Sequence, residues 1–294
     1  EISYVVDIDL ASLEESYQGS VTTRFMLTDG DHQLEVDFTG GVVESVIVNG
    51  VSLVPDYNGF FVSLPQTALR AGANEVTISY SHPYGQDGTG LHRFTDPQDD
   101  RTYLYTYLWP YYSNRLFPNF DQPNLKASYE LTVRAPQDWQ VISSTTEDSV
   151  IIDEETRVWH FPQSEKFSSY VFSLHAGPYH IWEDMAGSVP IRLMARQSLA
   201  DYVAVEEWME YTKSGLEHYR DYFDIPYPFA KYDQLIVPGF LIGAMENVAA
   251  VTFSESYVDR GASNRFNSQR RAGTILHEMA HMWFGDLVTM NWWN

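Results

Sequence analysis

The chain contains no cysteine, which excludes a disulfide scaffold and any thiolate metal site. Basic residues are scarce: 18 Lys and Arg stand against 40 Asp and Glu, a formal net charge of -22. That balance argues against a nucleic-acid backbone or an anionic membrane surface as partner, and suits cationic substrates. No apolar run is long enough to span a bilayer. The longest candidate, LIVPGFLIGAM, is short and broken by Pro238 and Gly239. The opening residues, EISYVVDIDL, alternate like a strand and carry no feature of a signal peptide, so the choice between cytoplasm and periplasm stays open. There is no internal repeat and no low-complexity tract. GQDGTG lacks the Gly-Lys-Ser/Thr of a phosphate-cradling loop and reads as surface loop.

What is present is apolar material: 44% of the 294 residues are hydrophobic and 15% aromatic, enough for a substantial core in one large domain or two ordinary ones. The first part reads as β. SVTTRFML, HQLEVDF, VESVIVNGVSLV, GFFVSL and EVTISYS are short runs rich in Val, Ile, Phe and Tyr, separated by turn residues. Asn49-Gly50 between two of them is a type I′ hairpin signal. The pattern resumes at ASYELTVRAP, WQVISST, TRVWHF and YVFSLHAG. Many short antiparallel strands without a helical insert predict a sandwich or saddle of sheets. The aromatic cluster between the blocks, YLYTYLWPYY, reads as core.

The character changes near Tyr179. In SLADYVAVEEWMEYTKSGLEHYRDYF, Tyr202, Val205, Trp208, Met209, Thr212, Leu216 and Tyr219 recur at helical intervals. Two prolines in DIPYPF end that helix, a buried strand YDQLIVPGF follows, and a last helix is predicted from about Asn267 to Phe284, stopped by Gly285. The expected organisation is a mainly β amino-terminal domain, 1–182, followed by an α+β portion, 183–294.

His277-Glu278-Met279-Ala280-His281 is H-E-x-x-H. On a helix, residues four apart share a face, so the two imidazoles can bind one Zn²⁺. Glu278, beside the first, can act as general base toward a metal-bound water and then as proton donor to a leaving amine. A second motif, Gly243-Ala244-Met245-Glu246-Asn247, follows the buried strand. Its glycine permits close backbone approach, and its glutamate can hold a cationic amine.

G-x-M-E-N followed some thirty residues later by H-E-x-x-H-x-W-F-G resembles the M1 family of zinc aminopeptidases, the aminopeptidase N-like gluzincins. The resemblance runs through most of the chain. GLHRF and SNRLFPNFDQPNLKASYELTVRAP are similar to the family's β-domain with its F-P-x-x-D-x-P segment, and LHAGPY and VPIRLMAR to the passage into a thermolysin-like domain. It implies zinc ligation by His277 and His281, with Glu278 as base. It implies that Glu246 binds the free α-amine of a peptide, and that the backbone of Gly243, Ala244 and Met245 pairs with the substrate as an added strand, with Asn247 closing the motif. A catalytic zinc takes three protein ligands; the resemblance puts the third, a glutamate, about six residues beyond Asn294. An oxyanion-stabilising tyrosine and a helical carboxy-terminal domain are expected further on. The 294 residues therefore read as an amino-terminal segment, inactive alone, whose partners are peptides with a free amino terminus and the remainder of the parent chain. Epoxide hydrolysis, the family's other chemistry, and a non-catalytic folded module are the alternatives. Two departures stand out. Tyr107 and Trp109 occupy positions where the family often has Gln or Glu, and Val248-Ala249 follow the second motif where the family often has Trp-Gly.

Overall fold

The computed structural model describes residues 1–292 apart from Leu13, Asp31, Glu154 and Ser263. Strands β1 (Ile2–Asp9), β2 (Ser16–Leu27), β3 (Leu34–Asp37), β4 (Val42–Val48), β5 (Val51–Leu53), β6 (Phe61–Leu64) and β7 (Gly72–Pro83) come first. They are followed by β8 (Gly90–Thr95), β9 (Thr102–Tyr107), β10 (Ala127–Pro136), β11 (Gln140–Ser143), β12 (Ser149–Asp153), β13 (Thr156–Phe161) and β14 (Leu174–Gly177). They form an eight-stranded sheet in the order β12-β13-β10-β1-β2-β7-β4-β5, a four-stranded sheet β11-β14-β9-β8, and the β3-β6 pair.

Period-two patterning explains most of this. β7 buries alternate residues, Val76, Ile78 and Tyr80, while its other face is more exposed. Asn49 and Gly50 adopt φ of 52° and 81° between the paired Val48 and Val51, as the hairpin signal requires. One expectation is corrected: the sheet is not wholly antiparallel, because β1 runs parallel to β10, Tyr4 opposite Tyr129. Strands so far apart in sequence are joined by a long excursion rather than a hairpin, so no turn forces them antiparallel. Within the aromatic cluster Tyr103, Tyr105 and Tyr107 are buried as expected, while Trp109 and Tyr111 reach solvent.

The F-P-x-x-D-x-P segment is a polar knot. Asp121 is buried and its carboxylate accepts from Asn114 N (3.1 Å), Asn114 Nδ2 (2.9 Å) and Ser169 Oγ (2.8 Å), while its own N–H donates to Asp37 Oδ2 at 2.9 Å. Most buried carboxylates are satisfied in this way, and the bond from Ser169 ties the turn at Tyr170 to this segment.

The second part holds β15 (His180–Ala186), β16 (Val189–Ala195), α1 (Val205–Phe223), β17 (Tyr232–Val237), β18 (Ala244–Met245), β19 (Ala250–Ser254) and α2 (Arg265–His281). Its five-stranded sheet has the order β15-β16-β17-β19-β18, with β16, β17 and β19 parallel. Every residue of β17 is buried. Its two faces meet different cores. Leu235 and Val237 join the apolar interior of the β sheets, while Tyr232 and Ile236 pack with Trp208, Ile275 and Met279 of the helices. Burial on both faces suits the apolar half of its sequence, Leu235-Ile236-Val237, while Asp233 and Gln234 are buried with polar partners.

The first helix starts later than its periodicity suggests. Residues Gln197–Tyr202 form a 3-10 turn, α1 begins at Val205, and Tyr202 is exposed. Ser198, a good helix cap by type, is instead committed to Asp96, which also binds Arg196 at 2.6 Å, and Arg196 reaches Glu255 at 2.9 Å. A second charged cluster ties the two parts together. Asp233 on β17 accepts from Arg192 Nε (2.8 Å) and Nη2 (2.6 Å) and from Lys231 Nζ, which also donates to Ser143 O on β11 at 2.7 Å.

Candidate functional site

α2 is capped by Asn264, whose side chain accepts from Asn267 N at 3.0 Å. It is fixed from below by Arg271, which donates to Glu207 of α1 and to Tyr257 O, both at 2.9 Å. Tyr219 of α1 donates to Leu276 O at 3.0 Å. The helix thus cannot rotate about its axis, and its outer turn presents His277 and His281 on one face.

Their Nε2 atoms stand 3.3 Å apart. Two nitrogens bound tetrahedrally to one zinc at 2.0–2.1 Å are separated by roughly 3.3–3.4 Å, so the pair fits a shared zinc ion. His281 Nδ1 lies 2.9 Å from Phe284 O. A carbonyl only accepts, so Nδ1 carries the proton and Nε2 presents its lone pair.

Glu278, next to His277 on α2, is only 5% exposed. Burial, reinforced by the charge of Glu246, pushes its carboxyl up to about 8. Glu246 faces the helix: Oε1 is 3.9 Å from His281 Nδ1. Carboxylate oxygens of Glu246 and Glu278 and a ring nitrogen of His281 lie within 4.8 Å of one another. A site that gathers carboxylates while burying them is short of positive charge, which an ion or a substrate ammonium would supply.

The second motif is built on the edge of the five-stranded sheet. Ala244 pairs with Phe253 and Met245 with Thr252, and Ser254 N donates to Gly243 O at 2.8 Å. β18 is the last strand in the order, so its outer edge is unpaired among the described residues. A side chain at Gly243 would start 2.7 Å from Tyr257 Oη, which also accepts from Thr274 of α2 at 3.0 Å. Asn247 is buried and donates to Thr252 Oγ1 at 2.9 Å, and that hydroxyl is 2.9 Å from His175 Nε2. Burial and then the nearby Lys231 hold His175 down to about 3, so it is a neutral partner. Ala249 adopts φ of 56°, a left-handed conformation that suits glycine better. Its carbonyl accepts from Asp233 N at 3.0 Å and from Lys231 Nζ at 3.3 Å.

The two motifs, read separately in sequence, are thus brought together. The last helix runs Arg265–His281 and continues to Phe284 only as a tighter turn, with Met282 N donating to Met279 O. Gly285, the expected stop, has φ of 141°, and a Cβ there would lie 3.0 Å from His281 Nδ1. Tyr107 packs edge-on against Phe240 at 5.4 Å, and burial, then Tyr112 and Glu246, push its phenol pKa up.

Several residues in the neighbourhood were not singled out from sequence. Asp286 is 1% exposed, neither carboxylate oxygen has a hydrogen-bond partner, and burial together with Glu246 drives its pKa well up. Tyr170 is likewise pushed up by burial and by Glu246. Lys126 reaches the turn after α2 from the β sheets. Lys126 lies inside a stretch that carries the resemblance and Asp286 directly follows another, but nothing in their spacing signals that they meet.

Two family descriptions match: the Peptidase M1 N-terminal domain over residues 1–171 and the Peptidase family M1 domain over residues 207–294. Aminopeptidase N of Streptomyces lividans is 41% identical over 99% of this chain and 34% of its own length. Probable aminopeptidase 1 of Sulfurisphaera tokodaii is 31% identical over 96% of this chain and 35% of its own. Probable M1 family aminopeptidase 1 of Encephalitozoon cuniculi is 29% identical over 98% of this chain and 35% of its own. The chain spans about a third of the length of these relatives. A match that fills the β sheets and resumes on the helices and strands carrying both motifs leaves one assignment: the chain belongs to peptidase family M1.

Proposed function

We propose that the chain is the amino-terminal third of a zinc aminopeptidase, with 1–182 as its β-domain and 183–294 as the first portion of its catalytic domain. The observation that carries this reading is the pair of Nε2 atoms 3.3 Å apart on α2, with Glu246 Oε1 3.9 Å from Nδ1 of His281. His277 and His281 would hold the zinc, which when bound supplies an acidified water and polarises the scissile carbonyl. Glu278 accepts a proton from the attacking water and returns it to the leaving amine. Its low exposure keeps that proton from exchanging freely with solvent. Glu246 holds the α-ammonium of the first residue, which restricts cleavage to the amino terminus. The free edge of β18 at Gly243, Ala244 and Met245 takes the peptide backbone as a further strand, with Asn247 fixing the turn behind it. Two imidazoles alone hold zinc weakly, so the 294-residue polypeptide without the rest of the parent chain is proposed to be inactive.

Glu246 supplies the test. A hydrogen bond to a charged group contributes about 1.5–3 kcal/mol, equivalent to roughly 10–150-fold in binding. Glu246→Gln in the full-length protein is expected to lower kcat/KM on aminoacyl anilides by about that factor, mostly through KM. Blocking the substrate amine by acetylation should abolish turnover by the unmodified protein. Equal rates on free and acetylated substrates would refute amino-terminal recognition by Glu246.

A further inference from the structure

We infer that Lys126, a residue of the β-domain, is a positioning residue for the metal-binding pair, acting through the turn that follows α2. The inference builds on the zinc-peptidase reading above and adds to it a contribution from the other domain. Lys126 lies just before β10. Its ammonium donates to Asp286 O at 2.8 Å and to Leu287 O at 3.0 Å. Those carbonyls belong to a closed turn: Asp286 N donates to His281 O at 3.0 Å, Gly285 N to Val288 O at 2.8 Å, and Val288 N to Trp283 O at 3.1 Å.

The same turn brings Phe284 O to His281 Nδ1. That contact selects the tautomer in which Nε2 is free to bind, and its geometry depends on where the turn sits. Gly285 lets the backbone pass this close to the ring. The three backbone contacts that close the turn are ordinary hydrogen bonds, each worth about 0.5–1.5 kcal/mol net, whereas bonds from a charged donor are worth about 1.5–3 kcal/mol. The doubly donating ammonium is therefore the strongest single restraint on the turn. It also places a positive charge beside the buried, unpartnered carboxylate of Asp286. Without Lys126, the turn is free to relax away from His281 and the ring can adopt either tautomer.

The experiment uses the full-length protein with Lys126→Met, which removes the donor, and Lys126→Gln, which keeps a neutral one. Zinc dissociation constants are measured by chelator competition, and the ring nitrogens of His281 are observed by ¹⁵N NMR in the metal-free state. Altering groups that orient a metal ligand typically weakens metal binding about 10–100-fold. The methionine variant is expected to show that loss together with a mixed tautomer signature at His281, and the glutamine variant a smaller loss. Should the methionine variant fold poorly, the glutamine variant alone still carries the comparison. Zinc binding as tight as in the unmodified protein, or weakened binding with Nδ1 still fully protonated, would overturn the inference. Failure of the unmodified protein to bind zinc would instead overturn the peptidase reading.

Discussion

Glu278→Gln in the full-length protein is expected to lower kcat/KM on an aminoacyl anilide by about 10²–10⁴-fold, the range associated with loss of a general base, while zinc content stays at the unmodified level. Glutamine keeps the shape of the side chain and removes its ability to carry a proton. The fold should tolerate the change well. The carboxyl is buried, and Glu246 stands near enough to help push its pKa up to about 8, so in the absence of metal the site already favours an uncharged group at this position. Circular dichroism and metal analysis on the same preparation separate loss of chemistry from loss of structure. A variant that keeps more than a tenth of the activity would place the base elsewhere, with Asp286 the next buried carboxylate to test.

Asp233→Asn is expected to destabilise the protein by about 3–5 kcal/mol, the usual consequence of removing one partner from a buried ion cluster. Asp233 is fully buried and takes charged hydrogen bonds from both Arg192 and Lys231. In its absence Lys231 Nζ keeps only the carbonyls of Ser143 and Ala249, and Arg192 keeps Glu147 at 4.0 Å. Two cations would then share an interior with too little negative charge. The site also matters for function, because Lys231 links β11 to the left-handed Ala249 immediately behind the second motif. The pH dependence has a definite sign. Burial alone would raise the Asp233 pKa, but Lys231 and Arg192 outweigh it and hold it below the ordinary value. A carboxylate with a depressed folded pKa stabilises the fold above its unfolded value, about 3.9, and that stabilisation is lost as pH falls through the folded value. Urea unfolding of both proteins at pH 7 and at successively lower pH should show a gap that narrows only below about pH 4. A difference under about 1 kcal/mol at pH 7 would mean that the cluster contributes no more than a surface pair.

Local patterning made the strands and the two long helices legible, because side-chain period reports which face is covered. EVTISYS reads as β7 for that reason, while YDQLIV, covered on both faces in β17, shows no period of two and was legible from its apolar end, Leu235 to Val237. Pairing between distant segments was not legible. The parallel contact of β1 with β10 is set by which edges remain free after local hairpins form, and the sequence holds no record of that. The helix start at Val205 was missed because Ser198 is recruited by Asp96, roughly a hundred residues away. At the candidate site, His277, Glu278 and His281 stood out within one helix turn and Glu246 within its motif, and the fold brings these side chains near one another. Lys126 was not readable because it reaches the site from another domain, and Asp286 because its burial depends on packing that the spacing of residues does not encode.

X-ray diffraction recorded on either side of the zinc absorption edge, from crystals of the full-length protein grown with zinc, decides whether α2 is a metal-binding helix. The expected result is one anomalous peak at about 2.0–2.1 Å from both His277 Nε2 and His281 Nε2, on the side that faces Glu246. A peak ligated by other residues, or none at the two imidazoles, would contradict it.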